Sequence, residues 1–169
     1  MRPYTALAAA AALLVACGGR EVQSPRPVRL PELVGRVHGP RERPLLAVFW
    51  ATWCQPCVAE IPDLAALQTE NASRLDILGI SLDAFLHATD QSLELVRQQL
   101  AQTPTPYDNV VFTGNQDSLF AAFDMPGGIP YAILFDPAGR VQHRFTGRVE
   151  PDVVRAALSA GSGASAPAR

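Results

Sequence analysis

The chain has 169 residues, of which 48% are hydrophobic and 18% are charged, with a formal net charge of −2. This length suits one domain with its own core, and the near-neutral charge argues against general nucleic-acid binding, which needs a basic face. All 14 basic residues are arginine, so chemistry that needs a Schiff-base lysine or a P-loop lysine is excluded. Three cysteines, Cys17, Cys54 and Cys57, carry most of the remaining information.

The first 30 residues predict export and anchoring. Residues 1–16 place one arginine before a run of small apolar side chains, which is too short to span a membrane and typical of a secretory signal. The sequence LVAC, ending at Cys17, resembles the lipobox of bacterial lipoproteins, in which the cysteine is lipidated. An ordinary signal peptide is the alternative. By the same resemblance, Gly18 after the cysteine favours the outer over the inner membrane. Residues 17–30 are then the lipidated cysteine and a flexible tether.

The apolar pattern predicts one domain over residues 31–160 and a disordered tail over 161–169. Strands are expected at 45–51, 75–82, 109–113, 131–136 and 140–146, and helices at 55–70, 89–101, 117–123 and 150–160. Strands that alternate with helices predict parallel pairing, and the last two strands form a hairpin. The predicted fold class is α/β, with a mixed central sheet flanked by helices on both faces.

Two cysteines three residues apart, Cys54 and Cys57, stand where a buried strand turns into a helix. Thiolates are the nucleophiles of disulfide exchange, and free N–H groups at the helix N-terminus would stabilise the thiolate of Cys54. Cys57, one turn later, would resolve a mixed disulfide and be shielded from outside partners. Gln55 and Pro56 lie between them, and Pro56 suits the first helical turn. Trp53 is expected to cover one side of the pair.

Other uses of the cysteine pair remain open at this point. A structural zinc site needs four ligands, and the sequence has no second CxxC and only three scattered histidines. Two thiolates could hold Cu(I), which soft ligands select, so a copper-handling chaperone is one alternative. Another is a module that binds client proteins without redox turnover. For redox chemistry at the thiols, neither a metal nor a cofactor is expected.

The segment FWATWCQPC over residues 49–57, followed by Glu60, Pro62 and Leu64, resembles the thioredoxin superfamily. More narrowly, it is similar to the TlpA/ResA-like, cytochrome c maturation type of exported thiol–disulfide oxidoreductases. The resemblance extends over about residues 30–158. It implies a thioredoxin fold and a protein disulfide oxidoreductase that reduces exported clients, with apocytochrome c as one possible substrate.

A second element of the resemblance is Ile129-Pro130, just before a predicted strand. In this family the proline is cis and lies against the cysteine pair, and the residue before it pairs its backbone with the substrate chain. An ordinary turn proline is the alternative. Tyr131, which follows, is expected to line the substrate groove, as are Asp83 and His87 near other strand ends.

The resemblance also implies a carboxylate that modulates proton transfer, and Glu60, one helical turn after Cys57, occupies that position. A partly buried Glu60 with a raised pKa could take the proton of Cys57, whereas a solvated Glu60 would have no such role. Thioredoxin itself carries a buried aspartate on the strand before the motif. Val48 stands at the matching position here, so that acceptor is missing.

Together these features predict a monomeric protein of the periplasm, anchored to the membrane through Cys17, that does not bind nucleic acid. Its expected partners are disulfide-bearing client proteins and a membrane partner that returns reducing equivalents. The Gln-Pro pair between the cysteines lacks the histidine donor of strong oxidants. The redox potential is therefore expected on the reducing side.

Overall fold

The computed structural model describes residues 24–161, which form one six-stranded sheet with helices on both faces. The strands are β1 (Arg26–Val28), β2 (Leu45–Trp50), β3 (Asp76–Ser81), β4 (Asp108–Phe112), β5 (Tyr131–Phe135) and β6 (Val141–Thr146). The helices are α1 (Leu30–His38), α2 (Gln55–Glu70), α3 (Thr89–Gln102), α4 (Gln116–Phe123) and α5 (Pro151–Gly161), and a 3₁₀ turn covers Asp83–Phe85. The predicted α/β class with a mixed sheet is confirmed.

The strand order is β1-β4-β3-β2-β5-β6, which places β2 near the centre of the sheet. Strands β1, β4, β3 and β2 pair in parallel, because helical crossovers connect them, while β5 and β6 form an antiparallel hairpin at the other side. Every residue of β2 is buried, as its continuous apolar run predicts for a strand covered on both faces.

Alternating side chains of β2 divide the core between the two faces of the sheet. Phe49 packs on one face, in a cluster that includes Leu33 of α1 and Phe123 of α4. Val48 packs on the other face, with the apolar sides of α2 and α5. Trp50 joins a third cluster on that second face, which includes the two cysteines and contacts α3. The cysteine pair therefore lies at the end of a strand that is fixed from both sides.

The predicted tether extends too far at its end. Residues 26–28 form β1, which pairs with β4 and buries Val28, and α1 begins at Leu30. The sequence did not indicate β1 for two reasons. Three residues are too few to show an alternating pattern, and a proline is tolerated in a strand only where no ladder N–H is needed, as at this sheet edge. Helix α1 starts with a proline in its first turn. Any tether must therefore end before Arg26.

Cys17 and the rest of the predicted signal segment lie outside the described residues, as do residues 162–169 of the predicted tail. Helix α5 ends at Gly161, one residue into that tail. Across residues 24–161, none of the helices combines the length and the apolar character that a membrane span requires.

Candidate active site

The cysteine pair lies at the junction between β2 and α2. Cys54 is the N-cap of α2: its N–H donates to the carbonyl oxygen of Ala51 at 3.1 Å, and its own carbonyl accepts from the N–H of Val58 at 3.0 Å. Cys54 and Cys57 form a disulfide, with their Cα atoms 5.3 Å apart. The first reactive sulfur thus stands where the unpaired N–H groups of a sixteen-residue helix point.

The two cysteines are buried, whereas the residues next to them are exposed to solvent. Cys54 is 6% exposed and Cys57 is 2% exposed, whereas Trp53 is 45% exposed and Gln55 and Pro56 lie at the surface. Pro56 occupies the first turn of α2, as predicted. Because the chain before Cys57 faces solvent and Cys57 itself packs in the core, an incoming disulfide meets the Cys54 side first.

The Ile129-Pro130 segment lies directly against Cys54. Its peptide bond is cis, as the sequence predicts, and the sulfur of Cys54 lies 3.9 Å from the carbonyl oxygen of Ile129. The carbonyl oxygen of Pro130 accepts a 2.9 Å hydrogen bond from the N–H of Gly147. The segment is thus tied to the chain after β6, and it places peptide backbone next to the reactive sulfur.

An open groove of about 480 Å³ adjoins this backbone. Its lining includes two exposed apolar side chains, Trp53 at 45% and Leu86 at 65%. Among the described residues that line it, none carries a charge. The complete lining is Trp53, Leu82, Phe85, Leu86, Gln116, Phe120, Gly127, Gly128 and Ile129. The groove is suited to an uncharged segment of polypeptide next to a disulfide.

Glu60 is buried rather than solvated. Its carboxylate accepts a 2.5 Å hydrogen bond from the N–H of Val149, in the segment that leads into α5. Burial raises the pKa of Glu60, while the Val149 N–H and the positive charge of Arg148 partly oppose the rise. A buried carboxyl group with a raised pKa, one turn after Cys57, has the properties that a proton acceptor needs.

Tyr107 is a residue of the site that the sequence did not indicate. With Val48, Gly79 and Cys57 it lines a buried cavity of about 10 Å³, close to the least volume that holds one water. Burial raises the pKa of the Tyr107 hydroxyl, and the negative charge of Glu60 raises it further. Tyr107 precedes β4 in a proline-rich segment, and no local pattern connects it with the cysteines.

Two of the predicted groove residues are not in the groove. The side chain of Tyr131 is buried in the core, where its hydroxyl donates to the carbonyl oxygens of Phe123 and Asp124. Tyr131 is the first residue of β5, and the pleat turns its side chain towards Phe49 instead of the surface. Asp83 is also fully buried and faces the backbone of Thr52. The side-chain roles predicted for both residues are therefore wrong.

His87 does not line the groove either. Within residues 24–161, no group of three or more histidine, cysteine, aspartate or glutamate side chains is arranged to hold a metal ion. The chemistry that the described site offers is that of its two sulfurs.

Comparison with known proteins points to the same chemistry. Residues 37–158 match the Redoxin family. The thiol:disulfide interchange protein HelX of Rhodobacter capsulatus is 30% identical over 110 residues, which are 64% of this chain and 55% of HelX. The thiol-disulfide oxidoreductase ResA of Oceanobacillus iheyensis is 29% identical over 105 residues, which are 62% of this chain and 50% of ResA. The chain thus spans about half the length of these curated relatives.

A solved structure supports the fold. The thioredoxin-related protein from Neisseria meningitidis serogroup B superposes with a TM-score of 0.59 at 23% identity, covering 74% of this chain and 89% of that one. The expected thioredoxin fold is confirmed. With the CxxC pair, the cis-proline segment and the family match in agreement, the chain belongs to the Redoxin family and is similar to HelX and ResA.

Proposed function

We propose that this chain is an extracytoplasmic thiol–disulfide oxidoreductase that reduces disulfides of exported client proteins. The observation that carries the proposal is the Cys54–Cys57 pair at the N-terminus of α2, with the Cys54 sulfur 3.9 Å from the Ile129 carbonyl. Two relatives named for thiol–disulfide interchange support the same chemistry.

The two cysteines take successive roles. In the reduced protein the Cys54 thiolate attacks a client disulfide, forms a mixed disulfide and releases one client thiolate. The Cys57 thiolate then attacks the Cys54 sulfur, breaks the mixed disulfide and releases the second client thiolate. Two electrons pass to the client, and the protein ends with the Cys54–Cys57 disulfide, which is the form in the structure. A membrane thiol donor returns the two electrons.

Glu60 is proposed as the acceptor of the Cys57 proton. Cys57 is buried among apolar side chains, which disfavours its thiolate, so its attack on the mixed disulfide needs a nearby base. Val48 cannot serve, whereas Glu60 is buried one turn away with a raised pKa. A carboxyl group with a raised pKa holds a proton more strongly than a solvated one, which suits it to accept the proton of Cys57 and release it later.

Client recognition is proposed at the Ile129 backbone and the adjoining groove. An extended client segment would pair with the backbone around Ile129, as strands add to a sheet edge, and would place its disulfide at Cys54. The groove between Trp53 and Leu86 would hold an apolar side chain next to that disulfide. Apocytochrome c is one candidate client.

Location and anchoring rest on the sequence of residues 1–23. A lipid on Cys17 would hold the domain in the periplasm, more consistent with the outer membrane because glycine follows the cysteine. We expect Cys17→Ser to move the protein from the membrane to the soluble fraction of the envelope. Mass spectrometry of the mature N-terminus identifies the lipid, and an unmodified N-terminus would contradict the anchor.

The test of the function is a trap for clients. Cys57→Ser removes the resolving thiol, so we expect the mixed disulfide on Cys54 to persist and to appear as reducible adducts in envelope extracts. Cys54→Ser is the matched control and should form none. Recovery of apocytochrome c among the adducts would identify one client. A copper chaperone with the same thiols would bind Cu(I) and form no adducts.

The direction of the reaction is measured by the reduction potential of the pair in glutathione and dithiothreitol buffers. We expect a value nearer to the roughly −270 mV of thioredoxin than to the roughly −120 mV of the oxidant DsbA. A potential above about −180 mV, that of protein disulfide isomerase, would contradict a reductase.

A further inference from the structure

The carboxylate of Asp83 is fully buried beside the catalytic loop. It accepts hydrogen bonds from the N–H of Thr52 at 3.1 Å and from the hydroxyl of Ser81 at 2.7 Å. The hydroxyl of Thr52 donates to the other carboxylate oxygen. Burying a charge costs free energy unless several donors compensate it, and three donors converge here. The side chain thus connects two segments, and all three contacts are donated to the carboxylate.

These contacts lie where the sheet stops holding the two segments together. The last registered pair between β2 and β3 is Trp50 with Ser81, and one more backbone bond follows, from the N–H of Leu82 to the carbonyl oxygen of Trp50 at 2.8 Å. Beyond that point one chain continues into the catalytic loop and the other into the 3₁₀ turn. Asp83 is the side chain that joins them past the end of the ladder.

Both segments contribute to the lining of the groove. Trp53 follows Thr52 directly, and Leu86 follows the 3₁₀ turn that begins at Asp83. The carbonyl oxygen of Asp83 also accepts the N–H of Leu86 at 3.0 Å, so one residue holds the turn through its backbone and the loop through its side chain. Cys54 is held separately, by its own bond to Ala51 and by α2.

We propose that Asp83 is a positioning residue that fixes the Trp53 wall relative to the Leu86 wall, and so sets the groove in which a client segment is held. The inference rests on the proposed exchange at Cys54, because it concerns how a client reaches that sulfur. Asp83 touches neither sulfur nor client. Its contribution is to the binding of large disulfide substrates and not to the reactivity of Cys54.

The test compares a protein disulfide with a small one. Insulin must enter the groove, whereas dithiobis-nitrobenzoate needs only the Cys54 sulfur. We expect Asp83→Asn to raise KM for insulin about tenfold, in line with the loss of hydrogen bonds to a charged group, and to change the rate with the small disulfide less than about twofold. Asp90→Asn, which alters an exposed carboxylate at the start of α3, is the matched control and should leave both unchanged.

Two substitutions of Thr52, which donates to Asp83, keep the test decisive if Asp83→Asn does not fold. Thr52→Val removes the hydroxyl donor and should raise KM for insulin in the same direction but less, whereas Thr52→Ser keeps both donors and should restore the wild-type KM. An unchanged KM for insulin in folded Asp83→Asn or Thr52→Val would overturn the proposal. So would equal losses with both disulfides, which would mean general destabilisation.

Failure of the proposed function is detected separately, by measuring the wild-type protein before any variant. Wild-type protein that exchanges with dithiobis-nitrobenzoate but not with insulin would count against reduction of protein clients. In that case KM has no meaning, and iodide quenching of tryptophan fluorescence in Asp83→Asn replaces it, because Trp53 is 45% exposed whereas Trp50, the other tryptophan, is 3% exposed. Quenching equal to that of the wild type would then overturn the positioning role, and altered quenching would support it.

Discussion

Replacing Tyr131 by phenylalanine distinguishes between two roles of this residue, packing in the core and contact with the substrate. The ring would remain in place, about 6.0 Å from that of Phe49 between centroids, and only the hydroxyl would be lost. The hydroxyl donates to the carbonyl oxygens of Phe123 at 3.2 Å and Asp124 at 3.3 Å, both longer than the usual O–H···O distance. Weak bonds that share one hydrogen are worth less together than two separate ones.

We therefore expect Tyr131→Phe to lower the free energy of unfolding by about 1 kcal/mol, which is near the middle of the range for one hydrogen bond. For a domain of this size, the loss lowers Tm by roughly 4 °C. The activity with insulin should not change, because Tyr131 is 1% exposed and does not line the groove. Urea unfolding and steady-state insulin reduction measure the two effects.

Ile133→Val is the matched control for Tyr131→Phe. Ile133 lies two residues further along β5, in the same core cluster, and losing one methylene there costs about 1 kcal/mol. If both variants lose similar stability and keep the wild-type KM, Tyr131 is a core residue. A several-fold higher KM in Tyr131→Phe alone, with stability unchanged, would refute the reasoning and restore the substrate role that the sequence predicted.

Two further predictions concern the surroundings of the cysteines. A Cβ at Gly79 would lie 1.9 Å from the Asn109 side-chain oxygen, so Gly79→Ala should destabilise the fold by about 2 kcal/mol. Gly35→Ala is the control: a Cβ there meets open space in α1 and should stabilise the fold by about 0.5 kcal/mol. The urea midpoints of the two variants test both expectations. Burial raises the pKa of Glu60 above its unfolded value, so its ionisation opposes folding as pH rises through the raised pKa. Glu60→Gln, which keeps an acceptor for Val149, should gain stability relative to wild type as the pH rises above 4.5, the ordinary glutamate pKa, and a falling difference would contradict this.

Local patterns predicted those parts of the molecule that local physics decides. The bounds of α2 agree with the predicted 55–70, because a first-turn proline and apolar spacing are both local signals. The position of Cys54 at the helix start follows from a motif of a few residues, whereas the cis bond before Pro130 is what the resemblance to the family implies. These motifs gave the reactive centre without knowledge of the packing.

Features that depend on packing were not predictable from the same signals. Side chains alternate between the two faces of a strand, so the register of β5 decides whether Tyr131 points to the core or to the groove. A shift of the register by one residue would reverse the direction. Tyr107 is 50 residues from Cys57 along the chain and meets it only because β4 and β2 flank β3. The position of Asp83 near a strand end predicts a groove residue, and only the closed fold shows three donors around its carboxylate.

The four buried acidic residues of the described domain fall into two kinds. Asp108 and Asp136 each pair with an arginine, at 2.8 Å and 2.7 Å, and so belong to ordinary ion pairs. Asp136 also accepts from the backbone N–H groups of Ala138 and Arg140. Glu60 accepts from the N–H of Val149 and follows Cys57 by one turn of α2, and Asp83 accepts from the N–H of Thr52, two residues before Cys54. Because a buried carboxylate is costly, two of them at one apolar site argue for separate tasks: proton transfer at the inner sulfur and placement of the client at the outer one.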